Sequence, residues 1–103
     1  MNNKIIKEKY AERIEYSLNG KYHRDDGPAI IGISASMFWF QNGIRHRTDG
    51  PAIIGSNGYT AWYRNRLLHR EDGPALVHSD GTMRWYKNGL YIEDPSPVFN
   101  FFA

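Results

Sequence analysis

The sequence predicts an all-β protein, an antiparallel meander of β-hairpins drawn out as one elongated, twisted sheet. Three observations carry that prediction. The chain repeats: EYSLNGKYHRDDGPAII from Glu15, FWFQNGIRHRTDGPAII from Phe38 and AWYRNRLLHREDGPALV from Ala61 align without a gap, and RWYKNGLYIEDPSPVFN from Arg84 keeps the first half of the pattern, a period of 23 residues. Asn-Gly at 19–20, 42–43 and 88–89 lies among aromatic and β-branched residues, and such a pair supplies both positive-φ positions of a type I′ hairpin turn. Apolar residues come in short runs between turn signals, with no sustained helical period.

Taken in order, residues 1–10 are expected to form an N-terminal cap, and residues 11–103 four tandem 23-residue units, the last incomplete. Lys4–Tyr16 reads either as a helix or as an edge strand. A hairpin follows at Asn19-Gly20, then an Asp-Gly-Pro element, then the apolar pair Ile30-Ile31. A second turn is expected at Ser34-Ala35, the slot that Asn57-Gly58 and Asp80-Gly81 occupy further on. The last strands are read as Ala75–Ser79, Thr82–Lys87 and Leu90–Ile92. In the Asp-Gly-Pro elements the glycine is read as supplying positive φ and the proline as removing a backbone donor. Phe99, Phe101 and Phe102 are expected to close the final edge as a C-terminal aromatic cap.

Composition narrows the function. At 103 residues the chain allows one small domain or a short array. The absence of cysteine removes disulfides, thiolate metal sites and thiol nucleophiles. No apolar run reaches the ~18 residues of a membrane span, and the N-terminus lacks the apolar stretch of a signal peptide, so a cytoplasmic protein is expected. No nucleophile elbow, phosphate-cradling glycine loop, zinc-protease helix or calcium loop is present. The reading is therefore non-enzymatic, with no catalytic residue, cofactor or metal.

The unit itself resembles a known family. Trp39-Phe40-Gln41-Asn42-Gly43 and Trp85-Tyr86-Lys87-Asn88-Gly89 match the MORN repeat, and the form W-Y-x-N-G-x-x-H-R-x-D-G-P-A is similar to MORN-variant units of bacterial, phage and large-virus proteins. Two departures stand out: His-Arg-x-Asp-Gly-Pro-Ala replaces the usual Gly-x-Gly, and Arg66 replaces a turn glycine. The resemblance implies an elongated scaffold used for protein docking or dimerisation and, in some members, for acidic-lipid binding. Its phage-type form implies a small inhibitor aimed by a phage or mobile element at a host defence enzyme.

The recurring residues divide into packing and surface. Tyr16, Trp39, Trp62 and Trp85 share one slot and are expected to stack as a buried aromatic spine. Phe40, Tyr63 and Tyr86 follow that slot by one residue, so with Phe38 they point to the opposite face. That face is too apolar for a solvated one and is expected either to curl over or to meet a partner chain. His23, His46 and His69 recur with Arg24, Arg47 and Arg70 and with Asp26, Asp49 and Asp72. A ladder spreads imidazoles rather than gathering them round an ion, so these triplets are read as structural. Arg45, Arg64, Arg66, Arg84 and Lys87 are placed near the hairpin tips. The candidate partner-binding residues are thus Phe38, Phe40, Tyr63, Tyr86, Arg45, Arg64, Arg66, Arg84 and Lys87, with a protein or a second copy of the chain as occupant. The alternative is a nucleic acid, nucleotide or other acidic ligand on the Arg/Tyr surface. A net charge of +2 and a pI near 9.0 make nucleic acid the weaker choice.

Overall fold

The computed structural model describes residues 4–93. It is all-β, an open antiparallel sheet of hairpin-connected strands. The strands are β1 (Ile6–Lys9), β2 (Ile14–Leu18), β3 (Lys21–Tyr22), β4 (Ile30–Ile31), β5 (Met37–Phe38), β6 (Phe40–Gln41) and β7 (Ile44–Arg45). They continue with β8 (Ile53–Ile54), β9 (Thr60–Ala61), β10 (Tyr63–Arg64), β11 (Leu67–Leu68), β12 (Leu76–Val77), β13 (Met83–Lys87) and β14 (Leu90–Ile92). One sheet runs β1-β2-β4-β5-β8-β9-β12-β13-β14 with β3 beside β2, while β6-β7 and β10-β11 form separate two-stranded hairpins. The strands of the main sheet lie side by side in chain order, skipping only the short β3, β6-β7 and β10-β11 segments, so the molecule extends to 58 × 27 × 18 Å with a radius of gyration of 16.1 Å. A compact domain of this length would measure ~13 Å.

The N-terminal segment is strand, not helix: β1 pairs with β2 from Ile6↔Ser17 to Lys9↔Ile14. Residues 6–9 of the expected cap are therefore the first edge of the sheet. The strand expected over Ala75–Ser79 is shorter, at Leu76–Val77, the next begins one residue late at Met83 and ends at Lys87 as expected, and Leu90–Ile92 lies where the pattern placed it. Ser34 and Ala35 do adopt the left-handed turn, at φ 62° and 65°. The expected aromatic cap of Phe99, Phe101 and Phe102 lies outside the described residues.

Two expectations about packing fail. The tryptophan slot is not a buried spine: Tyr16, Trp39, Trp62 and Trp85 are all half-buried, because a one-layer sheet has no second layer to cover large rings. The buried core is instead the alanine slot, with Ala29, Ala52 and Ala75 at 0% exposure, joined by Ala61 at 0% and Ile30 at 9%. The reason is backbone approach. The Tyr16, Trp39 and Trp62 amides donate to the carbonyls of Ala29, Ala52 and Ala75 at 2.7–2.8 Å, and the Ala29 and Ala52 amides donate onward to Phe38 and Ala61 at 2.8 Å. A methyl group fits where strands of successive units close on one another; a larger side chain does not.

The second failure concerns the glycines of Asp-Gly-Pro. Gly27, Gly50 and Gly73 are not at positive φ. A Cβ there would lie 3.1, 2.7 and 2.7 Å from the guanidinium carbons of Arg24, Arg47 and Arg70. These glycines make room for an arginine, and φ has no part in it.

Candidate functional site

The arginine that needs this room is a clamp within its own unit. Arg70 donates from Nε to Asp72 at 3.1 Å and from Nη1 to the Pro74 carbonyl at 3.2 Å, and its guanidinium lies 4.0 Å from the Trp62 ring centroid. Arg47 does the same with Asp49, Pro51 and Trp39, and Arg24 with Asp26, Pro28 and Tyr16. The planar fork satisfies an otherwise bare proline-loop carbonyl while covering one face of a ring, a pairing that lysine could not reproduce. The recurring Arg and Asp are thereby accounted for by folding.

The recurring histidines are not equivalent. His69 is 6% exposed, with Nε2 2.6 Å from Glu71 and Nδ1 accepting the Asn88 amide at 2.8 Å. His23 is placed alike, with Nε2 2.8 Å from Asp25 and Nδ1 accepting the Asn42 amide at 3.0 Å. An accepting Nδ1 defines the neutral Nε2–H tautomer, so each ring donates to a carboxylate on its own unit and receives an amide from the next hairpin turn. His46 is exposed, and no such clasp forms there among the described residues. Its neighbour two residues on is Thr48, where the other units have Asp25 and Glu71. Neither His23 nor His69 is placed for metal chemistry, and no group of three or more ligand-type side chains gathers among the described residues.

The candidate residues of the second face fall into three groups. Phe38 lies inside the sheet between Ile30 and Ile53. Phe40 and Tyr63 are half-buried and flank Arg45, whose guanidinium is 5.9 and 5.6 Å from their centroids; Tyr22 meets Phe40 at 5.4 Å. Tyr86 meets Tyr91 edge-on at 5.7 Å. Arg84 pairs with Leu76 in the second rung from the turn that joins Val77 to Met83, at the opposite end of its strand from Lys87 and the Asn88-Gly89 turn. Sequence reading missed three exposed apolar groups beside the Asn65-Arg66 and Asn88-Gly89 turns, Leu67 (45%), Leu90 (71%) and Tyr91 (56%). Their signal was present in Asn65-Arg66-Leu67 and Asn88-Gly89-Leu90, since a residue leaving a two-residue turn has little beyond it to cover it.

Arg64 and Lys87 share one carboxylate within the chain. Lys87 Nζ is 2.9 Å and Arg64 Nη1 3.4 Å from Glu71, which also receives His69. The hydrogen bond from Lys87, then that from His69, then the Lys87 charge hold the Glu71 carboxyl down at about 2, against an ordinary 4.5. A carboxyl lowered on folding stabilises the fold fully above its unfolded value, and that contribution is lost as pH falls from 4.5 towards 2. We expect the melting temperature to drop over this window, and less so in Glu71→Gln, as thermal melts by circular dichroism would register. Equal drops in both proteins would contradict the assignment.

Arg66 keeps the geometry of the glycine it replaces. Asn65 and Arg66 stand at φ 51° and 69°, matching Asn42-Gly43 and Asn88-Gly89, so neither a different turn nor an extra residue absorbs the substitution. A side chain held in the left-handed region costs ~1–2 kcal/mol. Arg66→Gly is expected to stabilise the chain by about 1 kcal/mol in urea unfolding, part of the gain being offset by the freer unfolded glycine.

No protein-family model, curated protein or solved structure matches this chain. Among the described residues no helix is long and apolar enough to cross a membrane.

Proposed function

We propose that the chain is a MORN-like, non-enzymatic module that binds another protein, through the hairpin ends of its third and fourth units. The observation that carries this reading is the exposure of Leu67, Leu90 and Tyr91 beside the half-buried Tyr63 and Tyr86. The Arg64 and Lys87 side chains rim the same ends. An apolar and tyrosine-rich centre with an arginine-containing rim is the composition of protein interfaces. A stiff, elongated scaffold held by its own arginine clamps suits docking, since it loses little freedom on binding. A narrower form, supported only by the likeness to phage-type units, is an intracellular inhibitor of a host enzyme.

Two measurements test the reading. Light scattering on the purified chain separates a self-associating protein from a monomer that needs another partner. Affinity capture from the source cells should then retain a partner on the wild type and lose it on the double variant Leu90→Lys, Tyr91→Lys. A partner retained equally by both would sink the proposed surface. Binding that instead requires oligonucleotide and falls steeply with salt would transfer the reading to nucleic acid. The Glu71 carboxylate placed between Arg64 and Lys87 halves their charge and would repel a phosphate there, which argues against that second outcome.

A further inference from the structure

The hairpins of successive units are stitched together at two seams and not at the third. Between the first and second, the Gly43 amide donates to the Tyr22 carbonyl at 2.8 Å, the Arg24 amide to Phe40 at 3.3 Å and the Asn42 amide to His23 at 3.0 Å. Between the third and fourth, Gly89 donates to Leu68 at 2.8 Å, Arg70 to Tyr86 at 3.2 Å and Asn88 to His69 at 2.8 Å. The corresponding bonds between the second and third would run from Arg66 to Arg45, Arg47 to Tyr63 and Asn65 to His46. Among the described residues none of them forms.

The sequence explains the opening. A Cβ on Gly89 would crowd Leu67 at 3.1 Å and one on Gly43 would come into contact with Lys21 at 3.5 Å, so at both stitched seams the turn residue packs directly against the preceding hairpin and a side chain there adds bulk to the seam. Arg66 carries that Cβ, and the residue it would meet is Ile44, branched where Lys21 and Leu67 are not. Thr48 withdraws the carboxylate that would hold His46, and Arg45 occupies a slot that is Tyr22, Leu68 or Tyr91 elsewhere. Every one of these departures from the repeated pattern falls on the same seam. Rules broken together at one place point to use rather than drift.

The opening is a cleft of about 490 Å³ lined by Gln41, Ile44, Arg45, His46, Asn65 and Arg66, without a carboxylate. It adjoins a smaller hollow walled also by Phe40 and Tyr63. Among the described residues neither Arg45 nor Arg66 pairs with an acid, in contrast to Arg64 and Lys87. The seam therefore offers two un-neutralised guanidinium groups, an apolar floor, and both backbone donors (Asn65, Arg66, Arg47) and acceptors (Arg45, Tyr63). A phosphate could use only the donors. An extended polypeptide uses both.

We propose that this open seam receives an extended acidic segment of a protein partner, its backbone completing the missing hydrogen bonds and one carboxylate lying between Arg45 and Arg66. The proposal rests on the protein-binding reading above and adds to it the chemistry of what is recognised. The test uses the full chain and a display library of short random peptides. Enriched peptides should carry Asp or Glu flanked by β-branched or aromatic residues. The best of them, made synthetically, should bind at least about tenfold more weakly to Arg45→Gln, Arg66→Gln, the loss expected for one charge-assisted contact. It should lose as much on the seam-closing variant Ile44→Lys, Thr48→Glu, Arg66→Gly, whose melting temperature should exceed that of the wild type, so that unfolding does not explain the loss. Peptides that bind both variants as well as the wild type, or no enrichment at all, overturn the seam assignment while leaving the Leu90 surface standing. A random single-stranded oligonucleotide that binds and depends on Arg45 and Arg66 overturns both.

Discussion

Replacing His69 by alanine is expected to cost about 2–3 kcal/mol, whereas the same replacement at His46 is expected to stay within about 0.5 kcal/mol. The residues are aligned in sequence and chemically identical, so the contrast isolates what surrounds them. Removing the His69 ring leaves the Asn88 amide without the acceptor 2.8 Å away, takes the 2.6 Å partner from Glu71 and empties a buried site. Removing the His46 ring exposes nothing that was covered, since that side chain is at the surface of the open seam. His23→Ala should resemble His69→Ala, its two contacts being 2.8 and 3.0 Å. Urea unfolding measures the three costs. Because an array of neighbouring units can open in parts, hydrogen exchange of the Asn88 amide supplies a local readout that should speed up only in His69→Ala. Equal costs at His46 and His69 would mean that the clasps contribute nothing and that the seams are alike.

The inequality of the histidines shows where sequence reasoning reaches its limit. Turn positions were legible because their cause is local: Asn19, Asn42 and Asn88 stand at φ 52°, 51° and 49° because a two-residue hairpin turn demands left-handed backbone there. The all-β class follows from those turns and from the short apolar runs between them. Arg66 was read as a departure and Thr48 was not, and their joint effect depends on a contact between turn and strand of different units, which no single window contains. The tryptophan slot misled for a related reason. A periodic ring suggests burial, yet burial needs something to lie on top, and here the cover on one face is an arginine from the same unit. For the candidate site, the sequence offered aromatic and cationic residues as a class. Their availability was not legible, because Glu71 engages both Arg64 and Lys87 across strands while Arg45 and Arg66 meet no acid among the described residues.

The arginine clamp gives the sharpest energetic test, because it predicts non-additivity with a definite sign. Gly73→Ala places a Cβ 2.7 Å from the Arg70 guanidinium carbon and 3.0 Å from Nε and Nη1. The guanidinium must swing away and forfeit Asp72, the Pro74 carbonyl and the Trp62 face together. A charge-assisted bond to a carbonyl is worth ~1.5–3 kcal/mol and a stacked cation ~0.5–2, with the exposed carboxylate adding little. Gly73→Ala and Arg70→Ala are each expected to cost about 2–3 kcal/mol by urea unfolding, and so is the double variant, because the second change removes nothing the first has left. On the Arg70→Ala background Gly73→Ala should even stabilise by ~0.4–1 kcal/mol, since Gly73 is not at positive φ and alanine narrows the unfolded ensemble. Gly27→Ala serves as an internal control: its Cβ would stand 3.1 Å from the Arg24 carbon, leaving room for a small adjustment, and its cost should be the lowest of the three Asp-Gly-Pro sites. Costs that simply add in the double variant would show that arginine and glycine act independently, and the clamp would no longer account for why the triplet recurs.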